Sequence, residues 1–501
     1  MTFPTATADT AAPESGETAR ERRPFRLSEF APTTSWEITA IACLAAFAVY
    51  AIALWSPAIF NDADTFWHIS AGQWMLTHHA VLDHDVFSRV VPGKPWITQE
   101  WLSEVAMATA YQLAGWGGVA ILTGLAMATT ITLLVLYLGQ RLDPLPCLVA
   151  LALSIACLMP DYLARPHILA LPFLTAWVIG IVNAVSSHRK PSWLLLPIMT
   201  IWANLHGGFV FGLALLIPTA CEAVLQSETN RRRIALQWAF FSGAAIAAAL
   251  VNAHGFRGLL YPFELMQVQS LSAVGEWQAL DLHQPNPVEF AALATAFIFI
   301  WRGIRVNPIR LLLLIALFHE SLLHARYGLL LGITAPVVLA DAVSAAMPRE
   351  QRSAPKFGQA RLVLVAFATA ILICASLRLL SPIKRGDGAM SPIDAVASIA
   401  PGLAREPVFN DYAFGGFLIF NGIKPLVDSR ADLYGDAWLA DYWRVVSGDA
   451  ATVDRVFRKY RVAWTLLQPG DPLVAVLDRR PGWRRLFTGR YAVVHADARS
   501  R

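Results

Sequence analysis

Two aspartates separated by one residue, Asp62 and Asp64, head the run Asn61-Asp62-Ala63-Asp64-Thr65-Phe66-Trp67-His68. A carboxylate beside an acceptor hydroxyl can take its proton during nucleophilic attack, so the pair is a candidate general base. Arg165 and Arg326 offer planar bidentate donors that match phosphate oxygens, and His167 and His324 can share or supply protons next to them. Asp83, Asp85, Glu100, Asp161, His206 and Glu320 are further ionisable residues close to apolar segments, where charge is costly and each is a candidate for function. Structural roles compete at several of these positions. Asp62 or Asp64 can cap a helix, Arg165 before Pro166 can snorkel to headgroups, and Glu320 with His324 can form an i, i+4 pair. His206 can simply belong to the tight connection Asn204-Leu205-His206-Gly207-Gly208.

The elements that carry these residues follow from composition. Of 501 residues, 56% are hydrophobic and 15% charged, which excludes a soluble enzyme, a secreted disulfide scaffold and a fibrous protein. Apolar runs near 36–55, 117–139, 145–159, 168–185, 193–206, 208–225, 234–252, 288–301, 309–323, 327–346 and 361–380 predict an α-helical polytopic membrane protein with about eleven transmembrane helices. Runs 193–206 and 288–301 are short for a full crossing and invite tilted or broken helices. Cys43, Cys147, Cys157, Cys221 and Cys374 lack metal-ligand spacing and read as small core residues. The net charge of +4 gives no reason to expect a nucleic-acid partner.

Charge placement orients the chain. With the N-terminus cytoplasmic, the inner connections hold Arg141, Arg189, Lys190, Arg231, Arg232, Arg233, Arg302, Arg305, Arg310, Arg349, Arg352, Lys356 and Arg361. The outer ones hold only Arg89, Lys94, Arg165, Arg257 and Arg326, as the positive-inside rule requires. Residues 1–35 then read as a disordered cytoplasmic tail, 36–380 as the transmembrane domain with a long first outer loop at 56–115, and 381–501 as a small soluble extracytoplasmic α/β domain. In that last part Pro407–Phe409, Pro425–Val427 and Ala463–Leu467 read as strands, Gly415 and Gly416 as a turn, and Asp428-Ser429-Arg430 as a salt-bridged turn at a strand end. Asp428, Arg430 and Asp432 are its exposed candidates for acceptor selection.

Within the first outer loop, Trp67, Ala71, Trp74 and Met75 share one helical face, and Ile97, Trp101, Val105 and Ala108 share another, with Glu100 and Glu104 away from it. Both read as helices lying at the lipid–water boundary, with Trp96 and Trp101 as interface anchors.

An early acid in a long first outer loop, two interfacial helices there, a multispan core and a C-terminal extracytoplasmic part together resemble the glycosyltransferase C superfamily. That superfamily includes oligosaccharyltransferases, protein O-mannosyltransferases and transferases that decorate lipid A. Asp64-Thr65-Phe66-Trp67-His68 is similar to the Asp-Pro-aromatic-aromatic-His/Asn run of oligosaccharyltransferase catalytic subunits. The resemblance implies an inverting glycosyltransferase of the bacterial inner membrane. It would take a sugar from a polyprenyl-phosphate donor and pass it to a lipid, glycan or protein acceptor on the periplasmic face, with Asp64 as base and Asp62 as accessory acid. Arg165, Arg326, His167 and His324 would then meet the donor phosphate. Two departures are visible. The later outer loop offers only Asp161 where oligosaccharyltransferases have an acidic pair, which leaves a divalent metal open, and no Trp-Trp-Asp element is present. A transporter or flippase of a lipid-linked saccharide, without covalent chemistry, is the alternative.

Overall fold

The computed structural model describes residues 36–269, 277–347 and 357–498; the expected N-terminal tail and Arg349, Arg352 and Lys356 lie outside these. Helices come first along the chain: α1 (Trp36–Trp55), α2 (Asp64–His78), α3 (Trp101–Gly139), α4 (Pro144–Leu158), α5 (Pro166–Ser186), α6 (Leu195–Leu205) and α7 (Phe209–Ala214). They continue as α8 (Leu216–Leu225), α9 (Arg231–Ala249), α10 (Gly255–Leu265), α11 (Pro287–Arg302), α12 (Pro308–Leu323), α13 (Gly328–Ala346) and α14 (Phe357–Leu380).

Among the described residues, six helices are long and apolar enough to cross a membrane: Trp36–Trp55, Trp101–Gly139, Pro144–Asp161, Pro166–Ser186, Ala325–Ala346 and Gln359–Leu380. The remaining expected spans form shorter or more polar helices. α6 has 11 residues, α11 and α12 have 16 each, and α9 opens on three consecutive arginines. The run 208–225 is divided between α7 and α8.

α3 is two helices joined at a kink. Ala114 leaves helical geometry and Gly115 adopts φ 58°, ψ −147°, a conformation open essentially to glycine alone. The kink separates the segment that carries Glu100 and Glu104 at its start from the apolar span beyond it.

The C-terminal segment adds α15 (Ile393–Ala397), α16 (Pro401–Ala404), β1 (Val408–Asn410), α17 (Gly415–Phe420), α18 (Ala431–Tyr434), α19 (Asp436–Val446), α20 (Ala450–Tyr460), β2 (Trp464–Leu467), α21 (Pro472–Arg479), β3 (Trp483–Thr488) and β4 (Val493–Asp497). The sheet order is β1-β2-β4-β3, with β1 and β2 parallel and the other pairs antiparallel. β1 and β2 are buried throughout and β4 nearly so, which fits their mainly apolar sequences, with Asn410, Thr465 and His495 as buried polar exceptions. β1 and β3 are the edges; β1 is buried, and on the more exposed β3 Arg484 and Arg485 discourage further strand pairing. Pro425–Val427 forms no strand and makes only an isolated bridge from Pro425 to Val408.

The aromatic faces of the first loop are buried in protein rather than laid on lipid. Trp67, Ala71, Met75 and Trp96 share a core with Phe409, Ile419, Leu426 and Leu439 of the C-terminal segment. Their indole donors are used internally: Trp96 Nε1 donates to Asp432 at 3.2 Å and Trp101 Nε1 to Asn204 at 2.8 Å. Gly415 and Gly416 open α17 instead of forming a turn, because this helix packs directly on α2. A methyl on Gly416 would be driven into the Ala63 carbonyl oxygen. Cys43, Cys147 and Cys157 are buried as expected, but Cys221 is exposed on α8.

Gly416→Ala should destabilise the protein by about 1–3 kcal/mol, since overpacking at the α2–α17 contact outweighs the gain in helix propensity. Gly243→Ala, with no atom within 4 Å of its new methyl, should be neutral or slightly stabilising. Thermal melts of the two variants in detergent check the contrast, and equal melting temperatures would contradict the close approach.

Candidate active site

The α2 N-terminus is built by Asp62. Its Oδ2 accepts from the Thr65 amide at 2.8 Å, the Asp64 amide at 3.1 Å and the Thr65 hydroxyl at 2.9 Å. This is the helix-capping arrangement, with a negative charge at the positive end of the helix dipole. The Thr65 hydroxyl is also within 3.0 Å of the Ala164 carbonyl, and the Ala164 amide donates to Ile59 at 2.7 Å. These contacts fasten the loop ahead of α5 to the loop ahead of α2. Arg165 follows, extended as a residue before proline must be, with Pro166 as the first residue of α5.

The fastening brings two guanidinium nitrogens to two carboxylates. Arg165 Nη2 donates to Asp64 Oδ2, and Nη1 lies 3.7 Å from Asp62 Oδ1. Trp67 Nε1, 3.3 Å from Asp64 Oδ1, holds the other Asp64 oxygen and also donates to Ser429 at 3.0 Å. Burial pushes the Asp62 carboxyl up to about 6, against the opposing pull of Arg165.

His68 lies one turn beyond Asp64 on α2. Its Nδ1 is 3.1 Å from Glu104 Oε1 and its Nε2 is 3.6 Å from Glu100 Oε2. Glu100 in turn meets His206 Nε2 at 3.2 Å, while the Gly208 amide donates to His206 Nδ1 at 2.9 Å. Because Nδ1 accepts, the His206 proton sits on Nε2 and points at Glu100. Burial first, then the nearby Arg165 and His206, hold the His68 imidazole well below its ordinary range, so it is neutral.

These groups line one cavity of about 830 Å³. Asp62, Asp64, His68, Glu100, Glu104, Asp161, Arg165, His167, His206, Glu320 and Arg326 all contribute to it. Its apolar lining includes Leu171, Leu174, Phe211, Phe263, Leu265, Leu317 and Leu329. The C-terminal segment adds Tyr412, Ser429, Arg430 and Asp432. His167 Nε2 lies 3.0 Å from the Asp161 carbonyl oxygen, with its ring 6.2 Å from that of His206. Arg326 stacks over Trp277 at 4.4 Å.

Three sequence candidates lie elsewhere. α12 ends at Leu323, so His324 is extended rather than helical; it does not itself line the cavity, and its Nδ1 lies 2.9 Å from the carbonyl oxygen of Trp277, which does. Asp83 is exposed beside His84 at 2.7 Å. Asp85 is fully buried, accepting from the Ser88 hydroxyl at 2.6 Å and from Arg430 at 3.1 Å. Asp428 and Arg430 are also buried, not exposed: Arg430 grips Asp428 through two nitrogens at 2.8 and 2.7 Å, and Tyr434 donates to Asp428 at 2.6 Å.

Sequence reasoning left Glu104 and Tyr261 without a role in the site, quoted His68 only as part of a motif, and expected Asp432 on an exposed surface rather than in the cavity. Tyr261 donates to Asp432 at 2.6 Å across the cavity, and burial raises the Asp432 carboxyl. The available signals were spacings of four residues, Asp64 to His68 and Glu100 to Glu104, which put each pair on one helical face. A divalent cation does not fit this arrangement. Among the described residues no group of three or more His, Cys, Asp or Glu side chains is disposed to hold one, and the Asp62 and Asp64 oxygens are taken by α2 and by Arg165.

No family model and no curated protein matches the chain. Solved structures do. The oligosaccharyltransferase of Archaeoglobus fulgidus, in its apo form, is similar with a TM-score of 0.52 at 11% identity, over 85% of this chain and 69% of that one. ArnT from Cupriavidus metallidurans, solved bound to undecaprenyl phosphate, aligns with a TM-score of 0.49 at 11% identity, over 94% of this chain and 98% of that one. The likeness to the oligosaccharyltransferase is one of fold, extending over most of this chain.

In the folded protein Asp62 keeps its proton to about pH 6, whereas the unfolded chain releases it near 3.8. The native state therefore binds more protons between these values, and this group's contribution to stability falls as pH rises through them. Asp62→Asn keeps a capping oxygen but does not titrate. Measured in detergent, its stability relative to the unmodified protein should improve from pH 4 to pH 7, whereas a constant offset would contradict the buried titration.

Proposed function

We propose that the protein is a membrane glycosyltransferase that moves a sugar from a polyprenyl-phosphate-linked donor to an acceptor at the outer face, inverting the anomeric centre. One observation carries this reading: a single cavity is lined both by the Asp64–Arg165 pair and by an aliphatic and aromatic wall. A donor with an anionic phosphate and a long isoprenoid tail needs both. A soluble nucleotide sugar would have no use for the second.

In the proposed step the acceptor oxygen attacks the anomeric carbon as the bond from that carbon to the phosphate oxygen breaks. The electron pair departs on the phosphate, and the acceptor proton passes to Asp64. Arg165 sits where it can offset the growing phosphate charge, with Arg326 as a second cation on the same lining. Asp62 fixes the helix end that presents Asp64 and is a positioning residue. The Glu100–His206 contact is the proposed route by which the acceptor site stays hydrogen-bonded on the other wall.

We place the N-terminus in the cytoplasm, eleven crossings in a bacterial inner membrane, and residues 381–501 outside as a small α/β domain that closes over the cavity. Supporting this orientation, α5 starts beside Arg165 in the cavity and the chain just beyond α9 brings His254 to the lining residue Thr98, while Arg189 and Lys190 follow the far end of α5 and Arg231–Arg233 open α9. Acceptors of this reading are a lipid, a glycan or a protein.

With purified protein in sealed proteoliposomes, a radiolabelled polyprenyl-phosphate sugar and a cell-envelope extract as the source of acceptor, label should appear in a new covalent product. Asp64→Asn should lower turnover by 10²- to 10⁴-fold, the range typical of a lost general base, while Asp62→Asn should stay within about tenfold of the unmodified protein. Undiminished turnover in Asp64→Asn would remove the proposed base. Movement of the label between leaflets without a covalent product would replace the transferase with a flippase.

A further inference from the structure

A second cavity, of about 700 Å³, lies at the opposite end of the helices that hold the candidate active site. α5 has Arg165 at its start in the first cavity; its last residue, Ser186, lies roughly 30 Å further along at 1.5 Å per residue, close to Lys190. α9 likewise begins at Arg231 beside the second cavity and ends towards His254, whose Nε2 reaches Thr98 of the first loop. The second cavity is thus at the other membrane boundary.

Its lining has the make-up of a headgroup site. Lys190, Arg232 and Arg233 supply three cations, and among the described residues no carboxylate lines it. None of the three makes an ion pair among the described residues. Thr229, Asn230 and Gln237 add hydrogen-bonding groups, and the positive end of α9 faces the same place. Arg232, Leu236 and Phe240 follow one another at i, i+4 and i+8, so a single stripe of α9 passes from charge to apolar surface along its axis. Leu236 is 62% and Phe240 71% exposed, and Trp193 packs its ring against Phe240 at 5.8 Å between centroids. Such exposed aliphatic and aromatic side chains one to two turns below a triad of cations match a molecule with a phosphate at the boundary and acyl chains beneath it.

We infer that this cavity binds the phosphodiester headgroup of an anionic phospholipid of the leaflet opposite the candidate active site. Lys190, Arg232 and Arg233 hold the phosphate, and Trp193, Leu236 and Phe240 receive the first methylenes of the chains. The inference is independent of the sugar-transfer reading, because it uses none of that site's residues.

The test uses the full-length protein and its triple variant Lys190→Gln, Arg232→Gln, Arg233→Gln, each released from mixed micelles containing phosphatidylglycerol and phosphatidylcholine, with retained lipid counted by native mass spectrometry. The unmodified protein should retain phosphatidylglycerol over phosphatidylcholine, and the triple variant should lose at least fivefold of that retention. The exposed positions permit an unchanged melting temperature, which is measured alongside. Trp193→Ala supplies a second readout, weakening retention of phosphatidylglycerol without removing any charge. Equal retention in the triple variant would overturn the site. Displacement of the lipid by millimolar inorganic phosphate would also overturn it, by showing that a free oxyanion satisfies the cations without acyl chains.

Discussion

Asp62 Oδ2, three polar hydrogens and the neighbouring Ala164 carbonyl form the junction on which the candidate active site depends. One carboxylate oxygen ends the amides of α2, and the Thr65 hydroxyl ties that helix end to the loop entering α5. Asp64 and Arg165 are more than a hundred positions apart in the chain's numbering, yet neither is free to point elsewhere once this junction forms. Buried away from bulk water, such hydrogen bonds are strong because their alternatives are unmet polar groups.

The C-terminal segment is held to the same place by a second buried electrostatic device. Arg430 joins Asp428 beside it to Asp85 of the first loop, and its guanidinium lies 4.8 Å from the Trp96 ring centre. A buried pair of this kind adds little net stability over an apolar substitute, but losing one partner strands a charge. Its value is geometric: it fixes the register in which Ser429 and Asp432 face α2 and α10. The Gly416 approach to Ala63 serves the same seam by contact alone.

At the other end of the bundle the charges are also organised. Arg310 meets Glu222 at 2.8 Å and Asp341 at 3.1 Å, and Arg141 meets Asp341 at 3.0 Å. This network ties α8, α12 and α13 to the end of α3 and explains why arginines inside or beside apolar helices need not leave the protein. Lys190, Arg232 and Arg233 stand apart from it, and that separation gives their cavity its positive character.

By itself the sequence determined that the chain is a helical membrane protein, because helix length and apolar composition are local properties set by the bilayer's thickness. It also determined that Asp62 and Asp64 begin a helix, since capping acts over three residues, and it singled out Arg165, His167, His206 and Arg326, which line one cavity with them. What it could not determine was which side of each amphipathic helix meets lipid. Trp67 and Trp96 carry the same apolar surface whether the neighbour is a bilayer or Phe409 and Leu426, and only the packed structure chose protein. Tertiary structure alone also decided that Asp85 and Arg430 are buried partners, that His324 stands behind the lining residue Trp277, and that His68, Glu104 and Asp432 join the cavity. Each of those outcomes depends on a contact between segments distant in sequence, and spacing along one chain does not encode the distance between two.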